Sequence, residues 1–343
     1  MDGAQIRVNW RWPGQFLDSH RYSRILTEIH IPSLYGQRAG NTVREVMGLS
    51  VFQDLSGCYH VKKIDMSHGL TYFPTGGFCI YCGSTGLPLG DEHIVPLALG
   101  GQHVLTKASC ALCAKITSKF ERSVARELWG DARISFDASS RRKNDRSAFI
   151  RMPDADNPGE KISVPAHEYP GVFVFYKMEP SGISCGLSEE IDTSKSWKLI
   201  VIDDDQRRNE FLKKSQKKLT VQFRNVPQQF GQLLAKIGYG HLLTALDPSD
   251  FRPICLPYIL GEKSNVSYIV GRGDENVSPM EGIGYSLRTM AQGTSESLLL
   301  SVIIRLYANT FAPEYLVAVG EVAGHENVVR IMEKLKRIDS ESN

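Results

Sequence analysis

No run of apolar residues in this chain is long enough to cross a bilayer, no internal repeat recurs along it and no low-complexity tract interrupts it. Charge of one sign is lacking too: 40 Lys and Arg against 38 Asp and Glu leave a net charge of +2. That balance neither argues for nor excludes nucleic acid, because a basic patch on one face is compatible with an almost neutral total. Cysteine is sparse, at seven in 343 residues, which excludes a dense disulfide framework and, in a reducing compartment, makes paired Cys-x-x-Cys units metal ligands. The opening "MDGAQIRVNWRWPGQ" lacks the basic-then-apolar order of a secretory signal. The expectation is a cytoplasmic chain with no membrane partner.

What is present is enough apolar sequence, 42% of 343 residues, to bury a core spread over two or three domains. Residues 1–75 carry short apolar alternations such as "RILTEIHIPSL" and "CYHVKKIDM" and read as a small mixed or β-rich region of unknown role. Residues 76–135 hold a cysteine and histidine cluster. The charged stretch "DASSRRKNDRS" reads as a loop or linker. Residues 145–343 then read as a C-terminal α+β domain: strands at "VFVFY", "WKLIVID", "SLLLSVIIRLY" and "YLVAVGEV", and helices at "PQQFGQLLAKIGYGHLLTAL" and "NVVRIMEKLKRI". Its "IVGRGDENV" and "VIDDD" carry weak phosphate and metal signals, and His241 reads as a helix-end residue.

The chemistry is concentrated between residues 78 and 113. Cys79-x-x-Cys82 and Cys110-x-x-Cys113 lie about thirty residues apart, so each pair can present two thiolates from one tight turn and together they close a tetrahedral zinc shell. Gly83, just after the second thiolate, suits that turn. Cys58, Cys185 and Cys255 have no such spacing and read as core residues. In "CALCAKITSKFERSVARELWG" the residues Ile116, Phe120, Val124 and Leu128 recur at helical spacing, which places the second pair at a helix start. Between the pairs, "GDEHIVPLALGG" sets Asp91 and Glu92 beside His93, with Pro96 and Gly100-Gly101 to shape a turn. A carboxylate holding a divalent cation next to a neutral imidazole that accepts a proton from water would cut a phosphodiester.

The order Cys79-x-x-Cys82, Glu92-His93-Ile94-Val95-Pro96, Gly100-Gly101, Ala108-Ser109-Cys110-x-x-Cys113 resembles the zinc-containing HNH endonucleases over roughly residues 76–130. The resemblance implies a small zinc-stapled ββα-metal unit and hydrolysis of nucleic acid, with DNA the expected substrate and magnesium or manganese the catalytic cation. It casts His93 as general base, Glu92 with Asp91 as acidic ligands of that cation, and Cys79, Cys82, Cys110 and Cys113 as structural zinc ligands. The chain departs from the family in several places: the family's Asn or His shortly before the last pair falls in "VLTKAS" here, and Glu92 stands where Asp is usual. Where it carries Asn or His, directly after the last cysteine or one turn along the helix, this chain has Ala114 and Thr117.

Lys107, Lys115 and Lys119, with Arg122 and Arg126, are candidate phosphate contacts. The plainer reading is a solvated helix face, since Glu121 and Glu127 stand among them. Three classes therefore stay open: a metal-dependent nuclease, a zinc-stabilised nucleic-acid-binding module without cleavage, and a protein-interaction protein in which zinc is only a staple.

Overall fold

The computed structural model describes residues 5–10, 55–65, 69–130, 148–154, 159–169, 171–203, 205–215, 219–274 and 277–341. Its strands are β1 (Gln5–Trp10), β2 (Leu55–Asp65), β3 (Thr71–Pro74), β4 (Leu89–His93), β5 (His103–Cys110), β6 (Phe149–Pro153), β7 (Lys161–Pro165), β8 (Val172–Lys177), β9 (Lys198–Asp203), β10 (Leu219–Arg224), β11 (Arg252–Pro253), β12 (Val270–Arg272), β13 (Ile283–Gly293), β14 (Ser297–Leu306) and β15 (Tyr315–Ala323). Its helices are α1 (Ala111–Ser123), α2 (Asp205–Ser215), α3 (Pro227–Leu242), α4 (Leu256–Leu260) and α5 (His325–Glu341). The fold is mixed α+β, as the apolar patterning implied. The segments "RILTEIHIPSL" and "DASSRRKNDRS" lie outside the described residues.

The principal sheet has six strands, in the order β11-β15-β14-β13-β2 with β12 also on β15. Every pairing in it is antiparallel. β14 is rich in Leu, Ile and Val and is buried along most of its length, the pattern of a strand covered on both faces. Both α3 and α5 pack against it.

The strand expected to belong to a separate N-terminal region, β2, instead runs along β13 from Leu55 opposite Gly293 to Asp65 opposite Ile283. β1 likewise pairs with β10. Strand partners this distant in sequence leave no trace in local periodicity, which is why the boundary at residue 75 does not correspond to a break in the sheet.

Helix α3 organises the core. Pro227 opens it at a position where a missing N–H costs nothing. The Tyr176 hydroxyl accepts from Val226 N–H at 2.8 Å and donates to Asn225 Oδ1 at 2.7 Å, which fixes the entry of the chain. Phe230, Leu233, Leu234, Ile237 and Leu242 are all fully buried. From Phe230 onward the helix is buried on nearly every side, Lys236 and His241 included, as befits a helix in the middle of a protein, and α3 packs against β14 and β15 as well as against α1 of the cysteine-bearing segment. A single buried cluster consequently runs from Cys79 and Cys113 through α3 to β15 and α5. No helix among the described residues is long and apolar enough to cross a membrane.

Candidate functional site

Two turns build the cysteine group. At the first, Gly83 N–H donates to the Cys79 carbonyl at 2.8 Å and Cys79 N–H to the Ser84 carbonyl at 2.9 Å. Gly83 has φ +70°, a left-handed conformation that glycine adopts without strain. At the second, Cys110 ends β5 and Cys113 lies in the first turn of α1. The Ile80 N–H to Ala108 carbonyl bond, 2.8 Å, fastens one turn to the other, and Cys110 N–H donates to Cys79 Sγ at 3.4 Å. The four Sγ atoms lie within 4.8 Å of one another, and all four cysteines are free of disulfides.

Hydrogen bonds with Ser84 lower the Cys82 thiol to about 6, while burial pushes Cys113 up. Four sulfurs gathered from two Cys-x-x-Cys turns are a donor set that can hold a metal ion such as zinc. Of the other cysteines, Cys255 is buried as expected, whereas Cys185 is exposed on a surface turn. The Cys58 side chain lies outside the described residues.

β4 and β5 form the hairpin between the turns, with Leu89 opposite Cys110, Gly90 opposite Ser109 and Glu92 opposite Leu105. Between the last two pairs β5 bulges. Lys107 there has φ +47°, its N–H donates to Asp91 Oδ1 at 2.9 Å, and Thr75 Oγ1 donates to the Thr106 and Lys107 carbonyls at 2.8 and 3.0 Å. Asp91 thus fastens a bulge. The turn beyond His93 depends on glycine: a Cβ on Gly101 would fall 1.7 Å from the Val95 carbonyl oxygen. The α1 helix follows at once and packs across both strands.

His93 ends β4 opposite Val104 and is partly exposed. Glu92 is turned inward. Ser109 Oγ donates to its Oε2 at 3.0 Å, and Lys236 Nζ, from α3, lies 2.9 Å from its Oε1. The same ammonium is 2.8 Å from Glu121 Oε1 of α1, donates to the His93 carbonyl and reaches the Ile94 carbonyl at 3.3 Å. Lys236 is 1% exposed. Burial alone would lower its pKa, but the charges of Glu121 and Glu92 and hydrogen bonds to both outweigh that and hold it above the ordinary lysine range. Burial also raises Glu121, and the neighbouring Glu92 charge adds to the rise.

This arrangement does not fit the catalytic cation implied by the resemblance. Glu92 is already neutralised by Lys236, and Asp91 is exposed and engaged at the bulge. Ala114 offers no ligand atom, and Thr117 is buried with its hydroxyl donating to the Ala114 carbonyl at 3.2 Å. Among the described residues the four cysteines are the one group of three or more Cys, His, Asp or Glu side chains placed to hold a metal. His103, the first residue of β5, is packed edge-on between Phe73 and Tyr285, with ring centroids 5.5 and 6.1 Å away.

The outer face of α1 is different. Lys115, Lys119, Arg122 and Arg126 are all exposed; the first three recur at spacings of four and three, which puts them on one face of α1, and Arg126 follows on the π-helical turn Val124–Leu128 that continues the helix. Leu112, 75% exposed, continues that face toward the helix start. The two acids that could have balanced it are spent elsewhere: Glu121 faces Lys236 inside, and Glu127 pairs with Arg224 at 3.6 Å. Among the described residues none of the four cations makes an ion pair.

Lys236 is the site residue that sequence reasoning missed. Its signal was present: a lone charge inside "QLLAKIGYGHLL" must find a carboxylate if the helix is buried all round. In the "IVGRGDENV" segment, by contrast, Val270–Arg272 form β12 and pair with β15. Comparison of the chain with protein-family models, with curated proteins and with solved structures finds no match in any of the three.

Proposed function

We propose that this chain is a nucleic-acid-binding module of HNH-like architecture, stapled by one zinc ion on Cys79, Cys82, Cys110 and Cys113, that binds without metal-dependent cleavage. The observation that carries the reading is the unbalanced basic stripe of Lys115, Lys119 and Arg122 on the exposed face of α1, continued by Arg126 on the π-helical turn Val124–Leu128 that follows it. A stripe of this kind displaces counterions from a phosphate backbone, and the exposed Lys107 at the bulge adds a further cation. Duplex DNA is the expected partner. The zinc holds the hairpin against α1, and the thiolates do no chemistry.

A nuclease reading has one observation in its favour. His93 ends the hairpin strand, is half-buried as a residue and has its main-chain carbonyl held by Lys236, and an imidazole at that place is the proton acceptor that the nuclease reading needs. The two readings part in one experiment: zinc-loaded protein is mixed with supercoiled plasmid, and both retardation and nicking are scored with magnesium or manganese. Retardation without nicking is the result for a binding module. Nicking that His93→Ala reduces by about 10²- to 10⁴-fold is the result for a nuclease, and neither effect leaves the zinc unit as a staple for protein contacts.

A further inference from the structure

The four thiols are alike as zinc ligands and unlike in their access to solvent. Cys79, Cys110 and Cys113 are 0%, 3% and 4% exposed, whereas Cys82 is exposed. Cys82 also stands in the wall of an open groove of about 540 Å³ bordered by Phe78, Pro253, Leu256, Pro257 and Glu262, which gives a small solute room to reach the turn. Its Sγ lies 3.9 Å from Cys110 Sγ, about 2 Å beyond the ~2.05 Å of a disulfide. We propose that Cys82 is an oxidation site of this chain: a hydroperoxide oxidises it first, Cys110 closes a disulfide on it, and the zinc is released.

Oxidation of a thiol follows its thiolate character and its exposure. One zinc holds all four sulfurs as thiolates, so exposure decides, and it singles out Cys82. The Cys82 sulfur attacks one peroxide oxygen; an S–O bond forms, the O–O bond breaks and hydroxide leaves, so the sulfur loses two electrons and the peroxide gains them. The Cys110 thiolate then attacks the Cys82 sulfur, an S–S bond forms, the S–O bond breaks and a second hydroxide leaves. With two protons from solvent, two thiolates and one hydrogen peroxide give one disulfide and two waters. Cys79 is the poorer partner, because its Sγ accepts the Cys110 N–H at 3.4 Å, a bond that withdraws charge from that sulfur. Only Cys79 and Cys113 then remain for the zinc, half of a tetrahedral shell. In nucleic-acid binding the thiolates do no chemistry; this reaction is a separate one, and it rests on the zinc of the proposed function and not on any nucleic acid.

The zinc-loaded full chain carrying Cys185→Ser, which removes the other exposed thiol of the described residues, is treated with hydrogen peroxide. Freed zinc is read with a colorimetric chelator, and linked peptides by mass spectrometry without reduction. The expected result is loss of about one zinc per chain in step with one Cys82–Cys110 disulfide, capture of dimedone at Cys82 when it is added with the peroxide, and recovery of the zinc after dithiothreitol. Cys82→His keeps a four-ligand shell and should retain its zinc through the same treatment; should it load none, the dimedone and disulfide positions in the Cys82 chain decide. A first adduct on another cysteine of the group, a Cys79–Cys82 disulfide in place of Cys82–Cys110, or zinc released equally from Cys82→His overturns the proposal. A zinc-loaded chain that keeps its zinc under peroxide overturns it alone, whereas a chain that holds no zinc before peroxide is added overturns the zinc reading with it.

Discussion

Lys236 Nζ lies 2.9 Å from Glu92 Oε1, and this pair joins the central helix α3 to the residue immediately before His93. An ammonium and carboxylates removed from water repay their desolvation only while all partners are present. Lys236→Met should therefore destabilise the chain by about 3–5 kcal/mol, the range for breaking a buried pair. Neutralising both partners as well, in Lys236→Met/Glu92→Gln/Glu121→Gln, should recover most of that. Urea midpoints of the three proteins measure both effects; a single substitution that costs less than the triple one contradicts the pairing.

Metal removal should be felt well beyond the cysteines. Tyr239 of α3 donates its hydroxyl to the Ile80 carbonyl inside the first Cys-x-x-Cys turn at 2.8 Å, and the same helix passes Ile94 so closely at Gly240 that a Cβ there would lie 3.4 Å from it. Elemental analysis should find one zinc per chain, and Cys110→Ser should lose it. Chelation should then lower the thermal midpoint of the whole chain in one transition. A C-terminal transition left at its original temperature would show the two parts to be uncoupled.

The turn after His93 gives a contrast within two adjacent glycines. Gly100 has φ +84° with open space around its would-be Cβ, whereas Gly101 would drive a Cβ to 1.7 Å from the Val95 carbonyl oxygen. Gly100→Ala should cost about 1–2 kcal/mol, the strain of a left-handed alanine. Gly101→Ala requires the backbone to move and should cost more than about 4 kcal/mol, in the range of severe substitutions. Chemical denaturation ranks the two, and equal losses would contradict this geometry.

Stability should fall at alkaline pH. Lys236 is held above its ordinary value, so its contribution is complete below the unfolded lysine pKa of about 10.4 and disappears as pH rises through the higher folded value. Burial raises the hydroxyls of Tyr81, Tyr176, Tyr239, Tyr285 and Tyr315. For these acids the unfolded chain releases its proton first, so their effect has the same sign. Urea midpoints should hold steady to about pH 9 and decline above about pH 10, with tyrosinate absorbance appearing together with unfolding. Tyrosinate absorbance from these residues in the folded chain would contradict the burial argument.

The cysteine group was legible because its signal is local: two pairs of thiols, each spaced for one turn, leave few other arrangements. The long strands and α3 were legible for a similar reason, since Phe230, Leu233, Leu234 and Ile237 mark a helix wherever it packs. The bulge at Lys107 was not, because its left-handed residue is a lysine rather than a glycine and its support comes from Asp91 and Thr75. In isolation a carboxylate beside a histidine, as Glu92 is beside His93, has the meaning of a metal ligand. Its actual partner, Lys236, arrives from α3, and β2 similarly finds β13 across most of the chain. Long-range electrostatic and strand pairings of this kind are set by the whole fold and cannot be read from spacing.

The salt dependence of duplex DNA binding tests the central claim most directly. For the zinc-loaded chain, log K should fall linearly with log salt, and Lys115→Ala/Lys119→Ala/Arg122→Ala/Arg126→Ala should reduce the slope by about 3–4, four phosphate contacts at roughly 0.9 each, while zinc content and thermal midpoint stay unchanged. If the unaltered chain binds DNA with no measurable salt slope, or the fourfold variant binds with the same slope and affinity, the basic face of α1 is a solvated surface and the nucleic-acid reading fails.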